Sequence, residues 1–381
     1  MSKRLVYLDY AAATPLDTRV LAAMQPYFSK NFYNPSASYL ESRKVKSSVE
    51  EARNRVASIL GAKSSEIIFT AGGSEANNLA ISGVMNSNIG SNIVISAIEH
   101  PSIKEPSANF KHKLCPVNKE GLLDRGALKK LIDDNTALVS IIYANNEIGV
   151  IQRLSEIASI IKEVRASRLE RGVSRPLYLH SDACQAANYL DLHVSRLGVD
   201  LMTLNGGKIY GPKQSGVLFV KSGVKLRPLI FGGGQERGLR SGTENVAAIV
   251  GFATALKLVQ EGRHLNSIKT HELQKYFIQV LQRNFPDCII NGSLKYRIVN
   301  NLHLSFPGLD NETLLIKLDN EGIMAAAGSA CSASSSEPSS VLGAIGLSDN
   351  QARSSIRFSL GKSSTKADID LLISTLLKLQ V

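Results

Sequence analysis

The stretch Asn205-Gly206-Gly207-Lys208-Ile209-Tyr210-Gly211-Pro212-Lys213 decides how this chain is read. It follows the apolar run Asp200-Leu201-Met202-Thr203-Leu204, so it reads as a strand ending in a glycine-rich turn that carries a lysine. The small residues let a ring and a phosphate approach the backbone, and an amine held at a strand end is placed to condense with an aldehyde. Upstream, Leu177-Tyr178-Leu179-His180-Ser181-Asp182 is a second strand-like run that ends in an acid, with Gln185 just beyond. Two neighbouring strands delivering Asp182 and Lys208 to one sheet edge suit pyridoxal phosphate (PLP). The carboxylate pairs the pyridinium nitrogen and the lysine holds the aldehyde.

Strand-like runs recur outward from this pair, at 66–70, 92–97, 138–143, 177–181, 201–204 and 216–220, separated by helical stretches. That alternation predicts an α/β fold with a mostly parallel sheet. A helix is predicted within 38–60, where Val45, Val49, Ala52, Val56, Ile59 and Leu60 share a face. Its charged residues, Lys44, Lys46, Glu50, Arg53 and Arg55, read as a solvated face. Beyond about residue 260 the pattern changes to a strand at 299–306, a helix at 312–320, a strand at 354–360 and a final amphipathic helix at 366–379, the signs of a smaller α+β domain.

The 381 residues are 44% hydrophobic and 20% charged, which is ordinary for a globular protein with a large core. No apolar run reaches the roughly 18–20 residues of a membrane span. The N-terminus meets Asp9 before any signal-like segment, so a cytoplasmic location is expected. Cys115, Cys184, Cys288 and Cys331 lie far apart with no Cys-x-x-Cys pair, which argues against a disulfide framework or a structural metal. The net charge is +11, but Lys and Arg are spread along the chain with no basic run interleaved with aromatics, so direct nucleic-acid binding is not expected.

Further motifs fall at predicted strand ends, where α/β sheets place ligands. Ala71-Gly72-Gly73-Ser74-Glu75-Ala76-Asn77 opens a helix and offers free amides and the Ser74 hydroxyl to an anion; the alternative is a capping turn with Ser74 as N-cap. His100, in Glu99-His100-Pro101, can stack on a ring and move protons. Asn145-Asn146-Glu147 offers amides. The loop 232–243 carries Arg237, Arg240 and Thr243 among glycines and reads as a shaped loop or a flexible hairpin. Cys331 lies in the Ser/Ala/Gly-rich segment 325–340 with no bulky apolar neighbour, which suits a mobile nucleophile. Cys115 and Cys288 read as core residues, and Cys184 as packing behind Asp182. Arg357, on a predicted strand, suits a carboxylate clamp.

Taken together, these motifs resemble the cysteine desulfurases, a branch of the class V aminotransferase-like enzymes of PLP fold type I. The likeness runs nearly end to end, from Tyr7-Leu8-Asp9-Tyr10-Ala11-Ala12 and Asn34-Pro35-Ser36 to Arg240-Ser241-Gly242-Thr243, Gly328-Ser329-Ala330-Cys331 and Ser355-Ile356-Arg357-Phe358-Ser359. The long Ser/Ala segment resembles the branch that matures iron–sulfur clusters. The resemblance implies a large PLP-binding domain (15–258) with a mostly parallel mixed sheet flanked by helices. It implies a smaller α+β domain (1–14 with 259–381) carrying the cysteine segment and the substrate-carboxylate arginine.

The resemblance also implies roles. Lys208 binds the cofactor aldehyde and moves the substrate Cα proton, Asp182 pairs the pyridine nitrogen, Gln185 the phenolic oxygen, and His100 stacks on the ring. Gly73, Ser74 and nearby amides hold the phosphate, with Thr243 reaching in from the other subunit of a homodimer. Asn34, Asn145 and Arg357 hold the substrate, L-cysteine, and Asn145 also contacts the cofactor. Cys331 takes the sulfur as a persulfide, releases alanine and passes the sulfur to an acceptor such as an iron–sulfur scaffold or a tRNA-thiolation protein. No metal is implied in the free enzyme, although Cys331 could share a cluster with a scaffold. A selenocysteine lyase, another class V lyase or aminotransferase, or a non-catalytic sulfur-relay or RNA-associated scaffold are the alternatives. Two positions depart from the family pattern, which has His immediately before the lysine and Ser three residues before it. Here they are Gly207 and Asn205, so a thinner phosphate cup is expected, with Asn205 as the substitute donor and a lowered cofactor affinity. The chain also ends soon after its last helix, where some relatives have a tail that touches the scaffold.

Overall fold

The structure is a computed structural model that describes residues 4–328 and 339–379. Its centre is a seven-stranded sheet of β1 (Ile67–Thr70), β2 (Asn92–Ser96), β3 (Lys111–Cys115), β4 (Thr136–Ser140), β5 (Tyr178–Asp182), β6 (Leu201–Asn205) and β7 (Gly216–Val220). The order is β1-β7-β6-β5-β4-β2-β3, and only β7 runs against its neighbours. This is the mixed, mostly parallel α/β sheet that the alternating pattern predicts.

Alternate side chains feed two cores, as the period of a pleated strand requires. Phe69, Val94, Val139 and Met202 join one cluster, whereas Ile68, Ile93, Ile95, Leu138 and Leu201 join another on the opposite face. The first cluster includes Val45, Val49 and Val56 of α1 (Leu40–Leu60) and the apolar side of α5 (Val246–Glu261). The second takes Leu79, Ile81 and Val84 from α2 (Gly73–Ser87). Between them in sequence lie α3 (Pro101–Ala108) and α4 (Leu154–Glu170). Helix α5 runs across the 258/259 boundary expected from the sequence.

One expectation is corrected here. Arg53 is not part of a solvated face: it is buried, donates to Glu236 through Nη1 at 2.7 Å and Nη2 at 2.8 Å, and lies over the Phe69 ring. A buried arginine in that position needs its partner, and the partner comes from a loop 183 residues away that helical periodicity cannot reveal.

The second part contains α6 (Arg263–Asn284), α7 (Asn311–Asn320) and α8 (Lys366–Lys378) around the antiparallel strands β8 (Ile289–Ile290), β9 (Asn301–Ser305) and β10 (Ser355–Ser359), ordered β10-β9-β8. Val6–Tyr7 pairs with Ile323–Met324, and Asp9 bridges Ser359. These pairings carry residues 10–14 toward the Lys208 turn, where the Thr14 amide donates to the Gly207 carbonyl at 3.1 Å. Among the described residues, no helix is long and apolar enough to cross a membrane.

Candidate active site

In register, β5 and β6 place Asp182 beside Thr203, so Asp182 and the turn after Asn205 emerge at the same sheet edge. A cleft lies there, lined by Ser74, His100, Asp182, Gln185, Asn205, Lys208 and Arg357 among others. Adjoining it, a second cavity, open to solvent, is lined by Gly72, Gly73, Ser74, Asn205, Gly207 and Lys213. Residues spread over some 280 positions of sequence thus converge on one edge.

Each polar group has a physical reason to be where it is. Asp182 is buried and accepts from Asn77 Nδ2 at 2.7 Å and from the Cys184 amide at 2.9 Å. Asn77 also donates to Ser102 Oγ at 2.8 Å, and Ser102 Oγ lies 2.8 Å from His100 Nδ1. Because Ser102 Oγ accepts from Asn77 and the Ser102 amide donates to Nδ1, the imidazole accepts at Nδ1 and carries its proton on Nε2. Burial, reinforced by the charges of Lys208 and Lys104 and opposed by Asp182, lowers the His100 pKa, which keeps the ring neutral. Lys208 Nζ donates to the Ala11 carbonyl at 3.0 Å and the Ala12 carbonyl at 2.6 Å. Gln185 Nε2 donates to the same Ala11 carbonyl at 2.9 Å.

Helix α2 begins at Gly73 with Gly72 as N-cap and no side-chain cap, so Ser74 is not the capping residue of the alternative reading. First-turn amides have no intrahelical acceptor and face the cavity side as an anion site. Gly72 has φ +139°, which only glycine adopts readily, and a Cβ at Gly216 would stand 2.6 Å from the Gly72 carbonyl carbon. The cup is therefore built from backbone. Asn205 Oδ1 accepts from the Gly207 amide at 3.0 Å, and its Nδ2 lies 3.3 Å from where a Gly73 Cβ would be. Uncapped amides for a phosphate, a buried carboxylate for a pyridinium and an amine for an aldehyde make a donor set that fits PLP.

Arg357 is 1% exposed; its Nη2 donates to Asp9 Oδ1 at 2.6 Å and Nη1 to the Asn146 carbonyl at 3.0 Å, while Nε has no partner among the described residues. Asn145 is spent on the backbone, donating to the Ile98 carbonyl and accepting from the Glu147 and Ile148 amides, and Asn146 lines the cleft instead. Asn34 is exposed, accepts from the Ser36 amide, and is not among the residues lining the cleft. Thr243 is exposed too; its neighbours Gly242 and Glu244 line a third cavity that shares Ala71 and Gln214 with the phosphate side. Cys184 lines the cleft, and burial raises its thiol pKa well above the usual range. Cys331 lies outside the described residues. The described ends of its segment meet at Glu147, whose Oε2 accepts from Ser339 Oγ at 2.5 Å and stands 3.2 Å from where a Gly328 Cβ would be.

Several residues escaped sequence reasoning. Asn77 and Ser102 look like ordinary first-turn helix residues, and Asp9 precedes its arginine by 348 positions. Glu99 was legible only as half of a Glu-His pair. It is fully buried, Oε1 accepts from Ser96 Oγ at 2.5 Å and the Ile142 amide at 2.7 Å, and Oε2 has no partner among the described residues. Burial pushes its carboxyl up from 4.5 to about 8. Between those values the folded protein holds a proton that the unfolded chain has released, so stability falls as pH rises through that window. Above it the buried anion costs about 5 kcal/mol. Glu99→Gln, the neutral isostere, is expected to flatten the decline in melting temperature between pH 6 and 9. An unchanged decline in the variant would assign the slope to another group.

A profile of the class-V aminotransferase family matches residues 6–372. The chain is 42% identical to the cysteine desulfurase IscS of Dictyoglomus turgidum, over 98% of this chain and 94% of that relative. It superposes on the X-ray structure of a NifS-like protein from Rickettsia africae with a TM-score of 0.88 and 33% identity, covering 99% of both chains. SspA, solved in complex with cysteine, gives a TM-score of 0.79 at 33% identity, over 94% of this chain and 99% of that one. A PLP fold of the class-V aminotransferase type is thereby established. Within that class, the chain belongs to the cysteine desulfurase family, and the alternatives are not favoured.

Proposed function

We propose that this chain is a PLP-dependent cysteine desulfurase that converts L-cysteine to L-alanine and leaves the sulfur as a persulfide on Cys331. The observation that carries the reading is the convergence of Asp182, Lys208, His100 and Arg357 on one cleft beside an uncapped helix N-terminus. PLP bound there supplies an electron sink that loosens the substrate Cα–H bond and the Cβ–S bond. Lys208 moves the proton at Cα; Asp182, oriented by Asn77, holds the pyridine end; Gln185 serves the phenolic oxygen; and neutral His100 covers the ring. Arg357, steered by Asp9, orients the substrate carboxylate, with Asn146 rather than Asn145 beside it. The Cys331 thiolate attacks the substrate sulfur: an S–S bond forms, the C–S bond breaks, and the carbon takes a proton to become alanine. An acceptor protein then draws off the sulfur, for iron–sulfur cluster assembly or tRNA thiolation.

The working unit in this reading is a homodimer. Phe28, Phe32 and Phe231 are 64%, 67% and 81% exposed, apolar area that a second copy of the chain would cover. Thr243, exposed and not among the residues lining its own cleft, is available to the partner's phosphate. Purified protein given L-cysteine should yield alanine and add one sulfur atom to the Cys331 peptide; alanine without that added sulfur would defeat the assignment. The protein should be dimeric by light scattering, and Thr243→Ala should weaken cofactor binding about 10-fold without loss of fold. A fully active monomer would refute the shared site.

A further inference from the structure

The turn after Lys208 folds back on itself. The Gly206 amide donates to the Ser215 carbonyl at 2.8 Å, the Gly211 amide donates to the Gly206 carbonyl at 3.0 Å, and Ser215 Oγ donates to the Pro212 carbonyl at 2.6 Å. A Cβ at Gly206 would be 2.1 Å from Ser215 Oγ, so this doubling-back is possible only with glycine there. On its far side the turn runs into β7, whose Gly216 abuts Gly72 at the helix N-cap. Residues 213 and 214, both exposed, thus lie along the chain between the Lys208 turn and the strand that abuts the start of α2.

Two features of that bridge are unexplained by folding. Gly207 has room for a side chain, since a Cβ there would meet nothing nearer than 3.5 Å, and Lys213 Cγ stands 3.7 Å from that place. Lys213 lines the cavity with Gly73, Ser74 and Asn205, and among the described residues it has no hydrogen-bond or ion-pair partner. Next to it Gln214 holds φ +57°, a left-handed conformation that costs a non-glycine residue about 1 kcal/mol and is usually kept for function. The one carboxylate on the cavity wall, Glu75, is already engaged by Arg240 at 3.1 Å and by the Ala71 amide at 3.0 Å.

We infer that Lys213 is a phosphate-binding residue of the cofactor site: its ammonium occupies the space beside Gly207 and meets the cofactor phosphate, together with the α2 amides and Asn205. The inference rests on the PLP reading above. A dianionic phosphate held only by neutral donors lacks a counter-charge, and Lys213 is the partnerless cation among the described residues on that wall.

The test is a titration of apoenzyme with PLP and, separately, with pyridoxal, which lacks the phosphate, read by absorbance of the bound form. Lys213→Met keeps the stem and removes the charge; Lys213→Arg keeps the charge. The methionine variant should bind PLP about 10-fold more weakly and with a shallower salt dependence, and pyridoxal as well as wild type does. The arginine variant should retain most of the affinity for PLP. Equal melting temperatures of the apo proteins establish that the turn is intact. Wild-type affinity of Lys213→Met for PLP, or an equal loss for PLP and pyridoxal, overturns the role of Lys213. Failure of the wild type to bind PLP at all overturns the cofactor reading instead.

Discussion

Cys331→Ala is expected to keep its bound cofactor and substrate affinity while alanine formation from L-cysteine falls by about 10³-fold or more. The two results separate because they belong to different residues. In the proposed reading the cofactor is held by Lys208, Asp182 and the cup at Gly73 and Ser74, none of which depends on a thiol. The C–S bond, by contrast, breaks only when a nucleophile takes the sulfur. The other described cysteines are poor stand-ins: Cys115 is buried with its thiol raised to about 12, Cys288 is raised to about 12 as well, and burial beside Asp182 holds the Cys184 thiol well above its usual range. A thiol held protonated is a poor nucleophile. Reach also favours Cys331. It lies three residues beyond Gly328, which is beside Glu147 and so next to the cleft-lining Asn146, and three residues of extended chain span up to about 10 Å. The measurements are the visible spectrum of the variant before and after L-cysteine, and alanine by amino-acid analysis. Alanine at a near wild-type rate would mean that another group accepts the sulfur.

What the sequence disclosed, and what it hid, follows from the range of the interactions. Buried strands announce themselves through continuous apolar residues, and β1, β2, β5, β6 and β7 lie within a residue or two of expectation. β3 did not, because Lys111-His112-Lys113-Leu114 is an exposed edge strand, and edge strands carry charge that masks their pattern. β4 starts at Thr136 rather than 138, while residues 141–143 go on bonding to β5 as irregular extended chain. Site residues that come from strand ends, Asp182 and Lys208 above all, were legible because local composition marks both the strand and its termination. The residues that orient them were not. Asn77 to Asp182, Asp9 to Arg357 and Arg53 to Glu236 are pairs 105, 348 and 183 positions apart, and no local pattern encodes a hydrogen bond of that span. Asn145 shows the converse: a motif can single out the right stretch while the chain's own turn decides which of two adjacent amides turns inward.

Lys208→Ala is expected to fail earlier than Cys331→Ala and more completely. In the structure the Lys208 ammonium is tethered to the Ala11 and Ala12 carbonyls within a cleft that also holds Asp182 and His100. On the proposed mechanism, removing it takes away two functions at once: the covalent hold on the cofactor aldehyde and the base that moves the Cα proton. Positioned proton transfer alone contributes about 10²–10⁴-fold, so the combined loss should exceed that range. Phosphate contacts survive in the variant, so it should still bind PLP, but without the visible band near 400 nm that marks attachment to lysine. Borohydride treatment of loaded wild type should fix the cofactor to the peptide containing Lys208, and the variant should gain no such label. Lys208→Arg separates charge from chemistry: it keeps a cation near Ala11 and Ala12 but should be as inactive as the alanine variant, because a guanidinium stays protonated and neither condenses with the aldehyde nor accepts the Cα proton. A small primary amine added to Lys208→Ala should restore a fraction of alanine formation and leave Lys208→Arg unchanged, since arginine still fills the space. Activity of Lys208→Arg within about 10-fold of wild type would show that Lys208 acts as a charge alone, and the proton transfer at Cα would then have to be assigned to another group.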